Sequence, residues 1–284
     1  MNTWTTRFRQ LRILPQIKSG SPHITLSRQI IEVGWRLVEV DLTDGTSGNI
    51  SARCPDGAAA LITPSARDYR ILTERDLVRV HLGSGNTEGQ WKPSSEWRLH
   101  VAIYLVRPDV NAVIHFHPTW ATAVAVARKT IPVLIDEAAD IGPIPTAAYA
   151  PSGSQELAET VSQELAKGSN AVLLANHGAV AVGRDIQEAM RRALEVERLA
   201  KIYIGAELLG GAHALDEAEV ARSQESLKTY RAILVESREL FLPAPYIIGQ
   251  VSLRDLVNYS FRAGVTFASL LQSLILQKLH RQNS

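Results

Sequence analysis

The chain has 284 residues, of which 45% are hydrophobic and 21% are charged, and this length can bury a substantial core. The formal net charge of +1 excludes the strongly basic surface of nucleic-acid-binding proteins, and no apolar run approaches the ~18 residues that span a membrane. Cys54 is the single cysteine, which excludes an internal disulfide framework and favours a reducing, cytoplasmic compartment.

Residues 1–22 are interpreted as an N-terminal arm. The stretch up to Lys18 carries four basic residues and no acidic one, a composition that also occurs in organelle-targeting peptides. It has few apolar residues and no secretory core, so we interpret it as a frayed or oligomer-contacting arm.

The first half of the chain then reads as a helix followed by short strands. Apolar residues at helical spacing predict a helix over Ser27–Val40, with Ser27 as N-cap. The loop Asp44–Ser51 is rich in Gly, Ser and Thr, and enters a strand that ends near Arg53. Such a loop either turns backbone N–H groups towards an anion or is an ordinary turn. Two further strands are predicted at Ala58–Thr63 and Leu77–Leu82, and a polar turn over Gly83–Gln90.

A helix is predicted to begin at the motif Pro93–His100 and to end near Val106, because Pro108 cannot continue it. Ser94 or Ser95 would be its N-cap, with Glu96 in the first turn. A glutamate there is favoured by the helix dipole alone. The same geometry also places hydroxyls, free N–H groups and a carboxylate at one helix end, which suits an anion beside a proton-transfer group.

Two histidines follow at the end of a short apolar strand, in the run Asn111–Pro118. Side chains at positions i and i+2 of a strand point to the same side. His115 and His117 can therefore offer two imidazoles to one metal ion, or be two partly exposed residues at a strand end.

The second half alternates helices and strands, which predicts a layered α/β fold with the first three strands antiparallel. A capping-box pattern opens its longest helix, and Gly205 is predicted to close it. The predicted helices are Thr119–Arg128, Ser154–Lys167, Asp185–Ile204 and Asp216–Glu239; the strands are Ala171–Ala175 and Ala179–Val182; Ile131–Ala150 is rich in loops. Residues 23–240 would form the main domain and residues 241–284 a C-terminal helical extension.

His177 is the third candidate ligand, because it follows a buried strand as the first pair does. Three neutral imidazoles at strand ends leave coordination positions open, which is typical of a catalytic rather than a structural metal site. Glu96 would be the nearby carboxylate, able to ligate the metal or to take a proton. His100 lies one helical turn after Glu96 and could share its face.

Taken together and in order, five motifs resemble the class II aldolase/adducin family, and its L-fuculose-phosphate aldolase branch in particular. The resemblance covers roughly Leu26–Ile233, and the order of the motifs makes it specific where one alone would mean little. The motifs are Gly45–Ser51, Ile62–Ser65, Ser94–His100, Ala112–His117 and Asn176–Gly178.

The resemblance implies a fold, an assembly and a set of site residues. The fold would be a three-layer α/β/α sandwich around a mixed, largely antiparallel sheet, assembled as a homotetramer with sites between subunits. His115, His117 and His177 would bind Zn²⁺, or another divalent metal such as Mn²⁺ or Co²⁺, and Glu96 would be both ligand and catalytic residue. Tyr230 would donate a proton in a neighbouring subunit's site. The implied phosphate-binding residues are Gly48, Asn49, Ser65, Ser94 and Ser95; Ala66 replaces a glycine that the family commonly has.

The activity implied is reversible cleavage of a ketose 1-phosphate, such as L-fuculose 1-phosphate, to dihydroxyacetone phosphate and an aldehyde. The metal would stabilise the enediolate formed when the C–C bond breaks. The family also resembles metal-dependent dehydratases, decarboxylases and epimerases of sugars, and Glu96 favours cleavage or dehydration over epimerisation. Acidic residues in Ile131–Ala150 would face the aldehyde end of the substrate. A non-catalytic, adducin-like interaction module is the alternative of a different class.

Overall fold

The computed structural model describes residues 22–227 and 229, and these form a single mixed sheet with helices on both faces. The strands are β1 (Asn49–Arg53), β2 (Ala59–Ile62), β3 (Val78–His81), β4 (Thr87–Glu88), β5 (Ala112–Phe116), β6 (Thr146–Ala147), β7 (Ala171–Leu174) and β8 (Gly178–Gly183). The helices are α1 (Pro22–Glu39), α2 (Trp97–Val106), α3 (Thr119–Val126), α4 (Gln155–Ala166) and α5 (Ile186–Leu208), and residues 217–227 are also helical.

The sheet has eight strands in the order β4-β3-β2-β1-β5-β8-β7-β6. Every neighbouring pair is antiparallel except β6 and β7, which are parallel. The predicted fold class is therefore confirmed, including the antiparallel pairing of the first three strands. The register places Asn49 of β1 opposite His115 of β5, and His115 opposite Val180 of β8.

Alternation along the central strands divides the core into two layers. Ile114 and Phe116 of β5 face the layer of α1, α3 and α5. Val113 of β5 and Val180 of β8 face the layer of α2 and α4. Because side chains alternate along a strand, His115 shares the face of Val113 and points towards the layer that contains α2.

Four local predictions were wrong. Ser27 does not cap the first helix, because α1 begins at Pro22 and Ser27 lies inside it. Two polar residues inside the predicted turn Gly83–Gln90 pair with β3 as the short edge strand β4. The longest helix does not stop at Gly205 but runs on to Leu208. The residue at the N-cap of α2 is Glu96 itself, with φ −102° and ψ 15°, rather than Ser94 or Ser95.

Among the described residues, none of the helices has the length and apolar character needed to cross a membrane. The described residues up to Leu227 form one compact unit. The predicted boundary at residue 240, the N-terminal arm up to residue 21, the C-terminal extension and Tyr230 lie outside the described residues.

Candidate metal centre

The strand β5 brings two imidazoles to one point at its end. His115 is fully buried, and its Nδ1 lies 3.0 Å from the carbonyl oxygen of Ala179 on β8. A carbonyl only accepts, so Nδ1 carries the proton and Nε2 presents a lone pair. His117 follows the strand, and its backbone N–H donates to the carbonyl of Leu42 at 3.0 Å. The Nε2 atoms of the two rings lie 3.0 Å apart.

The third imidazole comes from the turn between β7 and β8. Asn176 adopts a φ of 56°, a left-handed conformation that asparagine tolerates better than most residues. Gly178 allows the close approach predicted for it, since a Cβ there would lie 2.5 Å from the carbonyl oxygen of Phe116. The His177 ring centroid consequently lies 4.7 Å from that of His115 and 5.1 Å from that of His117.

Glu96 faces these rings from the start of α2. Its Oε2 lies 2.9 Å from Nε2 of His115, and its Oε1 lies 3.6 Å from Nε2 of His177. Two neutral donors hold the carboxylate: Asn49 Nδ2 donates to Oε2 at 3.1 Å, and the Ser152 hydroxyl donates to Oε1 at 2.8 Å. The backbone N–H of Glu96 donates to Ser94 Oγ at 3.2 Å. The side chain is thus fixed towards the histidines instead of capping its own helix.

The electrostatics of this group favour an anionic carboxylate beside neutral imidazoles. Burial raises the pKa of Glu96, but positive charge at the rings of His115 and His177 and the hydrogen bond from Ser152 lower it and hold the pKa well below its usual range. With His115 neutral, a cation bound at its Nε2 would supply that positive charge. Burial, reinforced by His115, lowers the pKa of His117 to about 4. Burial and His115 also lower the pKa of His177. Neutral imidazole is the form that binds metal.

These residues fit a divalent cation. One ligand atom from each of the three histidines lies within 4.8 Å of the other two. Nδ1 of His115 bonds the carbonyl of Ala179, so Nε2 of His115 presents a lone pair. Glu96 Oε2 also presents a lone pair, and it lies 2.9 Å from that Nε2. Two such acceptors repel unless they share a cation. Three imidazoles and a carboxylate are ligands that Zn²⁺ accepts in catalytic sites.

The predicted anion loop is partly filled by the chain itself. The backbone N–H groups of Thr46 and Ser47 both donate to Oδ1 of Asp44 at 3.0 Å. Mainly these two bonds lower the pKa of Asp44 to about 2. The side chain of Asn49 is buried and contacts Glu96. The amides of Thr46 and Ser47 therefore hold a carboxylate of the same chain.

Gly48 is required by the packing of β1 against β5. It has a φ of 74°, and a Cβ there would lie 2.5 Å from the carbonyl oxygen of His115. We expect Gly48→Ala to lower the free energy of unfolding by about 3 kcal/mol, from left-handed strain and displacement of β5. Gly57 is a matched control, with a φ of 70° and no atom within 4 Å of its added Cβ. Gly57→Ala should cost only about 1 kcal/mol; equal losses in urea unfolding would contradict the close-packing explanation.

Two segments containing the remaining phosphate-site predictions lie side by side. The backbone N–H of Ser65 donates to the carbonyl of Lys92, and that of Ser94 donates to the carbonyl of Thr63. Ser65 and Ser95 are exposed, whereas Ser94 is buried under Glu96. Ala66 has a φ of 53°. This left-handed conformation favours glycine and costs an alanine about 1 kcal/mol. Phosphate binding by these residues stays a prediction.

Two acidic residues of the region 131–150, Asp136 and Asp140, have partners within the described chain. Asp140 pairs with Arg191 at 2.5 Å, and its carbonyl accepts from Asn170 at the start of β7. His177 follows the other end of β7, so Asp140 lies at the far end of that strand from the histidines of its own chain. Asp136 accepts from the Ser223 hydroxyl at 2.9 Å.

Sequence reasoning missed several polar groups that support Glu96. Ser152 lies in the loop before α4, and nothing in its neighbourhood distinguishes it from an ordinary turn serine. Ser51 bonds both the ring of His100 and the hydroxyl of Tyr104. The alternation of strand β1 places Ser51 on the same face as Asn49, which is the one pattern that could have indicated it.

The chain was then compared with known proteins. Residues 28–204 match the family model "Class II Aldolase and Adducin N-terminal domain". The L-fuculose phosphate aldolase of Escherichia coli K12 is 40% identical over 208 residues, which cover 72% of this chain and 95% of that protein. A Rhodospirillum rubrum protein named 5-methylthioribulose-1-phosphate/5-deoxyribulose-1-phosphate aldolase is 37% identical over 213 residues, covering 73% and 93%.

Solved structures show the same similarity. An L-fuculose 1-phosphate aldolase superposes with a TM-score of 0.69 at 36% identity, covering 73% of this chain and 100% of the other. YgbL of Klebsiella pneumoniae, described as a putative aldolase/epimerase/decarboxylase, superposes with a TM-score of 0.65 at 28% identity, covering 72% and 99%.

Proposed function

The chain belongs to the class II aldolase and adducin family, and from this we propose that it is a zinc-dependent aldolase of a ketose 1-phosphate. The proposed reaction is reversible cleavage to dihydroxyacetone phosphate and an aldehyde, with an L-fuculose 1-phosphate-like ketose as substrate. The observation that carries the proposal is the carboxylate of Glu96, held 2.9 Å from His115 and 3.6 Å from His177. A carboxylate beside three imidazoles supports a proton-transfer role for Glu96.

His115, His117 and His177 would hold the metal together with Glu96. A divalent cation bound there supplies Lewis-acid chemistry, which stabilises negative charge on the oxygens of a hydroxy-ketone. Mn²⁺ or Co²⁺ would satisfy the same ligands.

Glu96 would move the proton. In the condensation direction it removes a proton from the carbon beside the carbonyl, and in the cleavage direction it returns that proton to the same carbon. Its low pKa keeps the carboxylate available as a base at neutral pH. The donors Asn49 and Ser152 hold its two oxygens in place, which keeps the base at a fixed distance from the reacting carbon.

The phosphate would be held near the start of the central strand β1. Gly48 precedes β1 and Asn49 begins it, and the segments of Ser65 and Ser94 pair with each other. Ser95 is exposed next to Glu96. The Asp44 carboxylate on the same loop carries negative charge, so phosphate would bind through the hydroxyls and N–H groups that Asp44 leaves free.

A homotetramer with sites between subunits, the proton-donor role of Tyr230 and a cytoplasmic location also remain part of the proposal. Tyr230 lies outside the described residues, so its position supports nothing here. Cys54 is the single cysteine and is buried, and a chain without disulfides fits a reducing compartment. We set aside the non-catalytic module, because the chain's relatives are named aldolases.

A substrate screen tests the proposal. Purified protein would be incubated with ketose 1-phosphates, free ketoses and sugar acids, with separate detection of dihydroxyacetone phosphate, carbon dioxide and dehydrated product. We expect dihydroxyacetone phosphate from a ketose 1-phosphate, complete loss of this activity after chelation, and recovery on addition of Zn²⁺. Release of carbon dioxide or water from a sugar acid, without an aldehyde, would instead assign the chain to the decarboxylases or dehydratases.

A further inference from the structure

A continuous chain of buried hydrogen bonds runs from the last turn of α2 to the carboxylate of Glu96. The Tyr104 hydroxyl lies 2.7 Å from Ser51 Oγ, and Ser51 Oγ lies 2.6 Å from Nδ1 of His100. The Nε2 of His100 bonds Oδ1 of Asn49, whose Nδ2 donates to Glu96 Oε2 at 3.1 Å. All five side chains belong to residues no more than 4% exposed.

The carboxylate at one end fixes the direction of every bond in this chain. An ionised carboxylate only accepts, so Asn49 presents its NH₂ group to Glu96 and its Oδ1 to His100. His100 must then carry its proton on Nε2, and its Nδ1 accepts from the Ser51 hydroxyl. Burial lowers the pKa of His100 to about 3, so the ring has one proton only. Tyr104 donates to Ser51 and completes a series in which each donor points towards Glu96.

The opposite polarity is excluded by the same contacts. With the proton of His100 on Nδ1, Nε2 would need a donor, and the Asn49 amide would have to turn its NH₂ group to the ring. Its Oδ1 would then lie about 3.1 Å from Glu96 Oε2, which places two acceptors against each other in a buried site.

We propose that His100 is a positioning residue for Glu96, acting through Asn49 to fix the rotation of the carboxylate; the inference rests on the proposed function of Glu96 as base. Asn49 supplies one donor to Oε2, and Ser152 supplies one to Oε1. Each oxygen keeps a further lone pair, and these are the lone pairs directed at the histidines. Without His100, the Asn49 amide is free to rotate, and the donor on Oε2 is lost.

A matched pair of substitutions separates positioning from packing. In His100→Gln, the glutamine amide reaches the position of the ring atom Nε2 and can still donate to Asn49. In His100→Asn, the shorter asparagine amide reaches only the position of the ring atom Nδ1. We expect kcat of His100→Gln to stay within about threefold of wild type, and kcat of His100→Asn to fall about thirtyfold with KM changed less than threefold. Equal losses of kcat in the two variants would overturn the proposal.

Stability and metal binding provide readouts besides turnover. Ile103 is fully buried on α2, and Ile103→Val serves as a packing control that lowers Tm while kcat stays within twofold. Competition with a chelator should show Zn²⁺ affinity about tenfold weaker in His100→Asn and within threefold in His100→Gln. A loss of kcat that follows Tm across all three variants would reduce His100 to a packing residue.

The tautomer can be measured in the wild-type protein without any substrate. Labelling histidine with ¹⁵N and subtracting the spectrum of His100→Gln assigns the two ring nitrogens of His100. We expect a neutral ring with the proton on Nε2 at pH 7; a proton on Nδ1, or a doubly protonated ring, would overturn the inference. This measurement needs no turnover. An unexpected tautomer would therefore contradict the role of His100 alone, whereas the substrate screen decides the aldolase assignment.

Discussion

Replacement of Glu96 by glutamine is expected to lower kcat by about a thousandfold while the fold is kept. General base catalysis by a positioned carboxylate contributes about 10²- to 10⁴-fold to a rate, and an amide has no basic lone pair to replace it. Glutamine is isosteric, so Ser152 and Asn49 keep their neighbour. One of these two donors nevertheless meets an NH₂ group instead of an oxygen, which costs about 1 kcal/mol of stability.

Glu156→Gln is the control for this experiment. Glu156 is an exposed carboxylate in the first turn of α4, and the charge change is identical. Turnover of Glu156→Gln should remain within twofold of wild type, and both variants should retain native circular dichroism. Near-normal turnover in Glu96→Gln, measured with the substrate that the screen identifies, would remove Glu96 from the proton-transfer role.

Metal content distinguishes the loss of a base from the loss of the metal. The three imidazoles are unchanged in Glu96→Gln, and one ligand atom from each lies within 4.8 Å of the other two. We therefore expect this variant to contain close to the wild-type amount of metal after purification. An inactive and metal-free Glu96→Gln would show that the carboxylate acts mainly as a ligand.

The layered fold was predictable because its helices and strands carry local patterns. The first three strands follow one another along the chain, and their antiparallel pairing follows from that adjacency. The edge strand β4 was missed because Thr87 and Glu88 are both exposed and polar, so nothing in their composition differs from a turn. Gly205 did not end α5, because a helix tolerates one glycine at a cost of about 1 kcal/mol; Gly210 and Gly211, with φ of 122° and 127°, follow its actual end.

The predicted histidines form a cluster, but the groups that orient Glu96 could not be found from the sequence. The histidines stand at strand ends, where the i, i+2 rule and the Gly178 approach indicate a common direction. Asn49 and Ser152 reach Glu96 from 47 and 56 residues away. No periodicity connects positions so distant, because their meeting depends on the order of strands in the sheet and on the loop before α4.

His117→Ala is expected to reduce bound zinc from about one ion per chain to less than about a tenth. The variant removes one of the three imidazoles whose ligand atoms lie within 4.8 Å of one another. The two that remain are joined only by Glu96, whose oxygens are also bound by Asn49 and Ser152 and which must also serve as base. The fold should survive, because His117 is only half-buried and its backbone N–H still bonds Leu42. Zinc would be measured by mass spectrometry after dialysis against a zinc buffer.

His81→Ala is the control for the loss of zinc in His117→Ala. His81 lies on β3, where its ring contacts Glu88 of β4 at 2.6 Å, so it is a histidine beside a carboxylate far from β5 in strand order. A histidine–carboxylate contact alone does not hold zinc, and His81→Ala should keep the full metal content and activity. Full zinc retention in His117→Ala, or equal loss of zinc in both variants, would contradict the assignment of the metal site. The metal would then bind somewhere other than between His115, His117 and His177.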